Sequence, residues 1–250
     1  MRILVIGGTG FIGSRVVARL VKQGHEALAG SPATGVNSIT GKGLQLAMTG
    51  TDAVIDVSNS PSYDEHAVMD FFRISTTNLL AAEKVAGVKH HIMLSIVGTE
   101  NLQANAYFKA KMQQEELIRK SADRYTVVRA TQFMEFLGAV ADLGDVNGVT
   151  HVSTGAVQLV AADDVVEKLC EIATGPAFNS TIEIAGPDKA RMSDMVEKYL
   201  RARGDARRVV ADPNALYFGS VLREDTMVPT SGSMLGGITF EDWLGDRAQS

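Results

Sequence analysis

A chain of 250 residues, 45% hydrophobic and 21% charged, has the composition of a folded globular protein and the length of one large α/β domain or of a domain with a small appendage. A net charge of -5 without a long basic run argues against nucleic acid as a partner, and no apolar run reaches membrane-spanning length. The only cysteine, Cys170, sits in an apolar stretch, which excludes an intrachain disulfide or a cysteine metal cluster and leaves a buried structural thiol.

The run Ile3-Leu4-Val5-Ile6 predicts a short buried strand at the very start of the chain. It leaves no room ahead for a signal peptide, so the expected compartment is the cytoplasm. Glycines follow at 7, 8, 10 and 13, and then Val16, Val17, Leu20 and Val21 recur at helical spacing. Strand, glycine turn and helix in that order predict a dinucleotide-binding entry. The first glycines allow the tight turn, Gly10 lets the backbone approach a pyrophosphate, Gly13 lets the helix pack close to the strand, and the helix N-terminus faces the anion. Gly7, Thr9, Gly10, Phe11, Ile12 and Gly13 are the expected contacts there.

The predicted first helix runs over 12–23 and Gly24 stops it. A strand over 26–29 ends at Gly30-Ser31-Pro32. Val36 to Ile39 reads as a weak third strand, 44–48 as a short helix and 53–57 as a strand closed by the loop Ser58-Asn59-Ser60-Pro61. A long helix over 65–86, with Val68, Phe71, Phe72, Leu79 and Ala82 on its apolar face, stops at Gly87. A strand over 91–94, a helix over 106–121 and a strand over 125–129 complete the alternation. That rhythm predicts a doubly wound parallel sheet of the Rossmann type, with the loops at 7–13, 30–34, 58–61, 95–99 and 130–134 on one rim.

Beyond Arg129 the rhythm changes. An apolar helix is expected over 133–143, turns over 144–155, strands over 157–160 and 181–185, a helix over 163–173 with Asp163-Asp164 as its N-cap, and an amphipathic helix over 192–203. Val209-Val210 is strand-like, and Phe240, Trp243 and Leu244 dock the tail. The expected division is a dinucleotide domain over 1–185, its 130–160 segment facing the substrate, and a C-terminal substrate cap over 186–250.

A site that prefers NAD places an acid about 20 residues past the glycines to bind the ribose 2′-hydroxyl. No Asp or Glu occurs between Ala27 and Thr51, which removes the repulsion that excludes a 2′-phosphate. Ser31 and Thr34 offer hydroxyls there, and Arg15 in the first turn of the helix has the reach for the phosphate or the adenine face. NADP is the expected cofactor, with NAD possible.

Tyr107 and Lys111 lie four apart on one face of a helix. A lysine ammonium one turn away favours a phenolate and is expected to lower the tyrosine pKa toward neutrality. Ser95, at the end of the preceding strand, can orient a substrate carbonyl and stabilise charge on its oxygen, with Thr99 as the alternative hydroxyl. His90 and His91 point to opposite faces of a strand and read as structural rather than as a metal pair.

The glycine pattern, Ser95 and Tyr107-x-x-x-Lys111 together resemble the short-chain dehydrogenase/reductase superfamily. Thr76-Thr77-Asn78-Leu79-Leu80-Ala81-Ala82, Val128-Arg129-Ala130-Thr131-Gln132-Phe133 and Ala162-Asp163-Asp164-Val165 resemble segments of its atypical, NmrA-like branch. The resemblance covers most of residues 1–185. It implies Tyr107 as acid/base, Lys111 as its pKa partner and ribose ligand, and Ser95 as the carbonyl-orienting group. Ser58, Asn59, Ser60, Ala130, Thr131 and Phe133 would line the nicotinamide side, and Phe133, Met134, Phe136, Tyr217 and Phe218 an apolar substrate pocket. The implied reaction is reversible hydride transfer between NADP(H) and a small ketone or aldehyde, with no metal. The branch also contains non-catalytic dinucleotide sensors, and sugar-nucleotide epimerases and dehydratases are more distant alternatives. The chain would be a monomer, or a homodimer through the two long helices.

Overall fold

The computed structural model describes residues 1–248. Its first half alternates strand and helix: β1 (Arg2–Ile6), α1 (Phe11–Lys22), β2 (Glu26–Gly30), α2 (Leu44–Met48), β3 (Ala53–Asp56), α3 (Glu65–Ala86), β4 (His90–Ile96), α4 (Ala106–Ser121) and β5 (Tyr125–Ala130). There follow α5 (Leu137–Leu143), β6 (Asp145–Val146), β7 (Val149–Val152), β8 (Ala156–Val157), α6 (Ala162–Thr174), β9 (Ser180–Ala185), β10 (Ala190–Arg191), α7 (Met192–Ala202), β11 (Arg208–Ala211), β12 (Leu216–Tyr217), β13 (Ser220–Val221), β14 (Met234–Leu235) and α8 (Phe240–Ala248).

Seven strands form one parallel sheet in the order β14-β9-β5-β4-β3-β1-β2. Every residue of β3 and the last four of β1 are buried, as expected for strands covered on both faces. β1 pairs in parallel with β2 on one side and β3 on the other. The winding therefore reverses at β1, and the reversal opens a crevice at the C-terminal ends of β1 and β3, where such sheets take their ligands.

Two expected elements differ. Val36–Ile39 is not a strand: the Asn37 side-chain oxygen accepts the N–H groups of Ile39 (2.9 Å) and Thr40 (3.0 Å), and this local turn outcompetes a short β-branched run. The expected helix over 133–143 is a 3-10 turn at Met134–Phe136 followed by α5, because Phe133 is held extended by a bridge to Val160. The same bridge divides the expected strand over 157–160, of which only Val157 belongs to a named strand, β8.

The chain divides into two compact units, residues 1–95, 106–128 and 166–182 in the first, and 96–105, 129–165 and 183–250 in the second. The second unit takes in segments that the sequence alone assigns to the dinucleotide domain. In the first, Leu4, Ile6, Leu44, Met48, Val54 and Leu79 pack one core, and Val68, Phe72 and Ala110 pack the seam of α3 against α4. In the second, the Trp243 ring stacks on Tyr199 and Phe240, at 6.2 and 5.9 Å between centroids, and its Nε1–H donates to Glu135 at 3.0 Å, which docks the C-terminal helix.

Candidate active site

The glycine turn is shaped by its neighbours. Gly7 has φ +79° and a side chain there would meet the Val57 carbonyl at 2.8 Å and Ser58 Cα at 2.9 Å, so only glycine lets the end of β1 lie this close to the loop after β3. At Gly8 a Cβ would sit 2.6 Å from Ala29 Cα, and at Gly13 2.1 Å from the Gly7 carbonyl oxygen. The Gly7 and Gly8 N–H groups both donate to the Gly30 oxygen. Gly10 differs: a Cβ would meet a single atom, the Gly7 oxygen, at 3.2 Å. Gly10 is also the N-cap of α1, no side chain caps that helix, and no acid occupies its first turn. An uncapped helix start behind a bare backbone fits a dinucleotide pyrophosphate.

At the end of β2 the two hydroxyls are turned inward. Thr34 Oγ1 accepts the Ser31 N–H at 2.9 Å and donates to the Ala29 carbonyl at 2.7 Å, and Ser31 Oγ lies 3.4 Å from it. They close the turn over Pro32–Thr34. The Arg15 guanidinium lies over the Phe11 ring, 4.2 Å from its centroid. Glu26, at the start of β2, pairs with Arg2 at 2.8 Å.

Helix α4 presents an unusual buried face. Lys111, Gln114 and Glu115, spaced to share one side of the helix, are buried. Lys111 Nζ donates to Gln114 Oε1 at 2.7 Å and stands 4.6 Å from the Phe72 ring centroid. Gln114 Nε2 donates to Asp56 Oδ2 at 2.9 Å. The other oxygen of Asp56 accepts the Ser58 N–H (3.0 Å) and hydroxyl (2.6 Å). In a second network Ser95 Oγ donates to Glu115 Oε1 at 2.6 Å, and Arg119 pairs with the other Glu115 oxygen at 2.5 Å. Ser95 and Glu115 are buried, so both networks replace water by fixed partners. Burial lowers the Lys111 pKa to about 8, against the opposing pull of Asp56 and Glu115.

Tyr107 shares its face with Lys111 but not the expected titration. Its ring packs among Tyr63, Phe72 and Phe108, at 6.1, 5.8 and 5.7 Å between centroids. Burial, with a further push from Tyr63, raises the phenol above its ordinary value of 10.0. Desolvation thus outweighs the help expected from the neighbouring lysine, and Tyr107 stays a protonated phenol near neutrality. Asp56, Gln114 and Glu115 were absent from the sequence reading. The signal for the last two was present, since they stand three and four residues after Lys111 on its own face. For Asp56 it was an acid ending an otherwise apolar strand.

The remaining loop residues are tied within their own units. Ser60 Oγ donates to the Ser62 carbonyl at 2.7 Å, and Asn59 Oδ1 accepts the Ser60 N–H at 3.0 Å. In the second unit the Ala130 carbonyl accepts the Val97 N–H at 2.9 Å, the Thr131 hydroxyl donates to the Gln158 carbonyl, and Thr99 Oγ1 donates to the Ile96 carbonyl at 2.7 Å. Phe133 and Phe136 meet edge to face at 5.8 Å, as do Tyr217 and Phe218 at 4.7 Å. The Tyr217 hydroxyl donates to the Gln132 side chain, which brings that pair to the segment after β5. Met134 is buried and its N–H donates to the Val160 carbonyl.

His90 Nε2 lies 2.9 Å from Thr126 Oγ1 and His91 Nδ1 2.7 Å from Glu83 Oε1. A cavity of about 530 Å³ lined by Met1, Asp52, Lys89, His90, Arg124 and Asn179 marks the N-terminal ends of the strands, the edge opposite the glycine turn. Asp164 is not an N-cap: it lies inside α6, and its carboxylate accepts the N–H groups of Gly237 and Ile238, each at 3.1 Å.

A family model described as NAD(P)H-binding matches residues 7–176, and the chain belongs to that family. Among characterised proteins it is similar to the (4-alkanoyl-5-oxo-2,5-dihydrofuran-3-yl)methyl phosphate reductase of Streptomyces griseus, at 27% identity over 99% of this chain and 98% of that one. It is similar to the photosystem II assembly factor Ycf39 of Synechocystis at 24% identity, over 80% and 72% of the two chains. It also resembles the divinyl chlorophyllide a 8-vinyl-reductase of Zea mays at 27% identity, over 75% of this chain and 55% of that protein. Among solved structures, a short-chain dehydrogenase/reductase superfamily protein from Agrobacterium tumefaciens with bound NAD superposes with a TM-score of 0.76 at 18% identity, covering 100% and 96% of the two chains. The dTDP-4-dehydrorhamnose reductase of Bacillus anthracis in complex with NADP gives 0.73 at 12%, covering 97% and 96%. The fold is therefore that of the short-chain dehydrogenase/reductase superfamily, and the chain carries an NAD(P)H-binding domain.

Proposed function

We propose that the protein is an NADP(H)-dependent oxidoreductase that reduces the carbonyl of a small, largely apolar ketone or aldehyde. The observation that carries the reading is the Tyr107 phenol one helical turn from buried Lys111 on α4, in the unit that holds the glycine turn. When bound, the reduced cofactor supplies the hydride. Tyr107 gives its hydroxyl proton to the carbonyl oxygen, so the C=O π bond is replaced by a C–H and an O–H bond and the phenolate is reprotonated from solvent. Burial keeps the phenol in the proton-bearing form from which the reducing direction starts, but makes it a weaker acid than one tuned toward neutrality. Gly7, Thr9, Gly10, Phe11, Ile12 and Gly13 hold the pyrophosphate, and Lys111 the nicotinamide ribose. The preference for NADP is supported by the acid-free stretch from Ala27 to Thr51, and Ser31 and Arg15 are assigned to the adenine end. Phe133, Phe136, Tyr217 and Phe218 are assigned to substrate contacts.

A second reading, a dinucleotide sensor without turnover, is favoured by one observation: the Ser95 hydroxyl, expected from the resemblance to orient a substrate carbonyl, is committed to Glu115. The name of the Synechocystis relative, an assembly factor, fits it too. The two readings part in a panel of ketones, aldehydes and conjugated alkenes with NADPH and NADH side by side. The alkenes are included because relatives carry the name vinyl-reductase. Oxidation of NADPH by a ketone or aldehyde supports the first reading, and measured binding with no oxidation by any acceptor supports the second.

A further inference from the structure

A buried lysine has three N–H donors to satisfy, and in the first unit Lys111 gives one of them to Gln114 at 2.7 Å. The orientation of the Gln114 amide is fixed by charge at both ends: its oxygen faces the ammonium, and its nitrogen donates to Asp56 at 2.9 Å. Asp56 is buried, and its second oxygen anchors Ser58 through the backbone N–H and the hydroxyl. Ser58 Cα in turn lies 2.9 Å from the position a side chain would take on Gly7. One carboxylate therefore holds both the loop behind the glycine turn and, through an amide, the buried cation on α4.

We propose that Asp56 and Gln114 are positioning residues for the bound dinucleotide, keeping Lys111 charged and aimed while seating the Ser58 loop against the glycine turn. The proposal rests on the reading of Lys111 as a cofactor ligand. The groups that face Lys111 are Asp56 from β3, Glu115 from its own helix and the Phe72 ring from α3. The two carboxylates favour the charged form and burial opposes it, so removing the Asp56 charge lowers the lysine pKa further. Uncharged, Lys111 loses its attraction for the anionic dinucleotide.

The test is NADPH affinity, read by fluorescence titration between about pH 6.5 and about pH 9.5, for the wild type, Lys111→Met, Asp56→Asn and Gln114→Met. The wild type is expected to lose affinity with a midpoint near the lysine value of about 8. Lys111→Met binds about tenfold more weakly at the low end and its profile is flat. Asp56→Asn and Gln114→Met bind about threefold to about tenfold more weakly at the low end, where Lys111 is still charged but has lost its aim, and move the midpoint down by about one pH unit. If Lys111→Met keeps the wild-type affinity and profile, the assignment of the lysine itself is overturned. If Lys111→Met flattens the profile while the other two keep the wild-type midpoint, the lysine assignment stands and the relay is overturned. Should Gln114→Met fail to fold, the isosteric Asp56→Asn decides.

Discussion

Replacing Gly10 and Gly13 by alanine, one at a time, separates what the turn does for the fold from what it does for the ligand. At Gly13 the new methyl would sit 2.1 Å from the Gly7 carbonyl oxygen, more than an ångström inside ordinary contact. The obstacle is backbone, so α1 must move away from β1. Overpacking of this kind costs about 3 kcal/mol at the upper end of its usual range. A helical glycine replaced by alanine regains about 1 kcal/mol of propensity, leaving a net loss of about 2 kcal/mol. For a protein of this length that is a drop in melting temperature of about 4–8 °C. At Gly10 the methyl meets only the Gly7 oxygen at 3.2 Å, and φ -81° with ψ -176° is open to alanine. The cost there is the poorer N-cap, at most about 1 kcal/mol, or under about 4 °C. On the proposed reading the Gly10 methyl stands where the pyrophosphate approaches, and NADPH affinity is expected to fall at least about tenfold. Thermal melts and NADPH titrations of both variants decide the matter. The reasoning is refuted if Gly10→Ala binds NADPH as tightly as the wild type, or if it loses as much melting temperature as Gly13→Ala.

Two further outcomes follow from buried groups. His91 is raised above its ordinary 6.5 by Glu83, against the pull of burial, so its contribution to stability is complete below about pH 6.5 and is lost as pH rises through the folded value. Urea unfolding of the wild type and His91→Gln at about pH 6 and about pH 9 should show the stability gap shrinking at the higher pH; a constant or growing gap contradicts it. Burial pushes the Cys170 thiol up to about 11, so alkylation of the native protein near neutrality should be slow and should accelerate at least about a hundredfold on unfolding. Equal rates in the two states would show that the thiol is accessible.

The alternation of strand and helix, and with it the glycine turn, was legible because buried parallel strands read as short apolar runs and glycines punctuate them. Helix α4 appears at its expected bounds, 106–121. Val36–Ile39 misled because a side-chain turn at Asn37 acts over three residues and leaves hydrophobic pattern untouched. The titration of Tyr107 was not legible: spacing places a lysine one turn away, but whether solvent reaches the phenol depends on Tyr63, Phe72 and the packing of α3, set by residues far off in sequence. The same holds for Ser95, whose partner Glu115 lies twenty residues on. Sequence spacing placed Tyr107 and Lys111 on one face of α4, while the partners that occupy each group came only with the fold.

The central claim is that Tyr107 donates the proton in a reduction driven by NADPH. Its direct test is the rate of NADPH oxidation with the best ketone or aldehyde of the panel, for the wild type and Tyr107→Phe, alongside their NADPH affinities. The account predicts a loss of roughly 10²–10⁴-fold in turnover for Tyr107→Phe, with cofactor affinity within about threefold of the wild type. Turnover that survives the loss of the hydroxyl, or a wild-type protein that binds NADPH but does not oxidise it in the presence of any ketone or aldehyde of the panel, would contradict it.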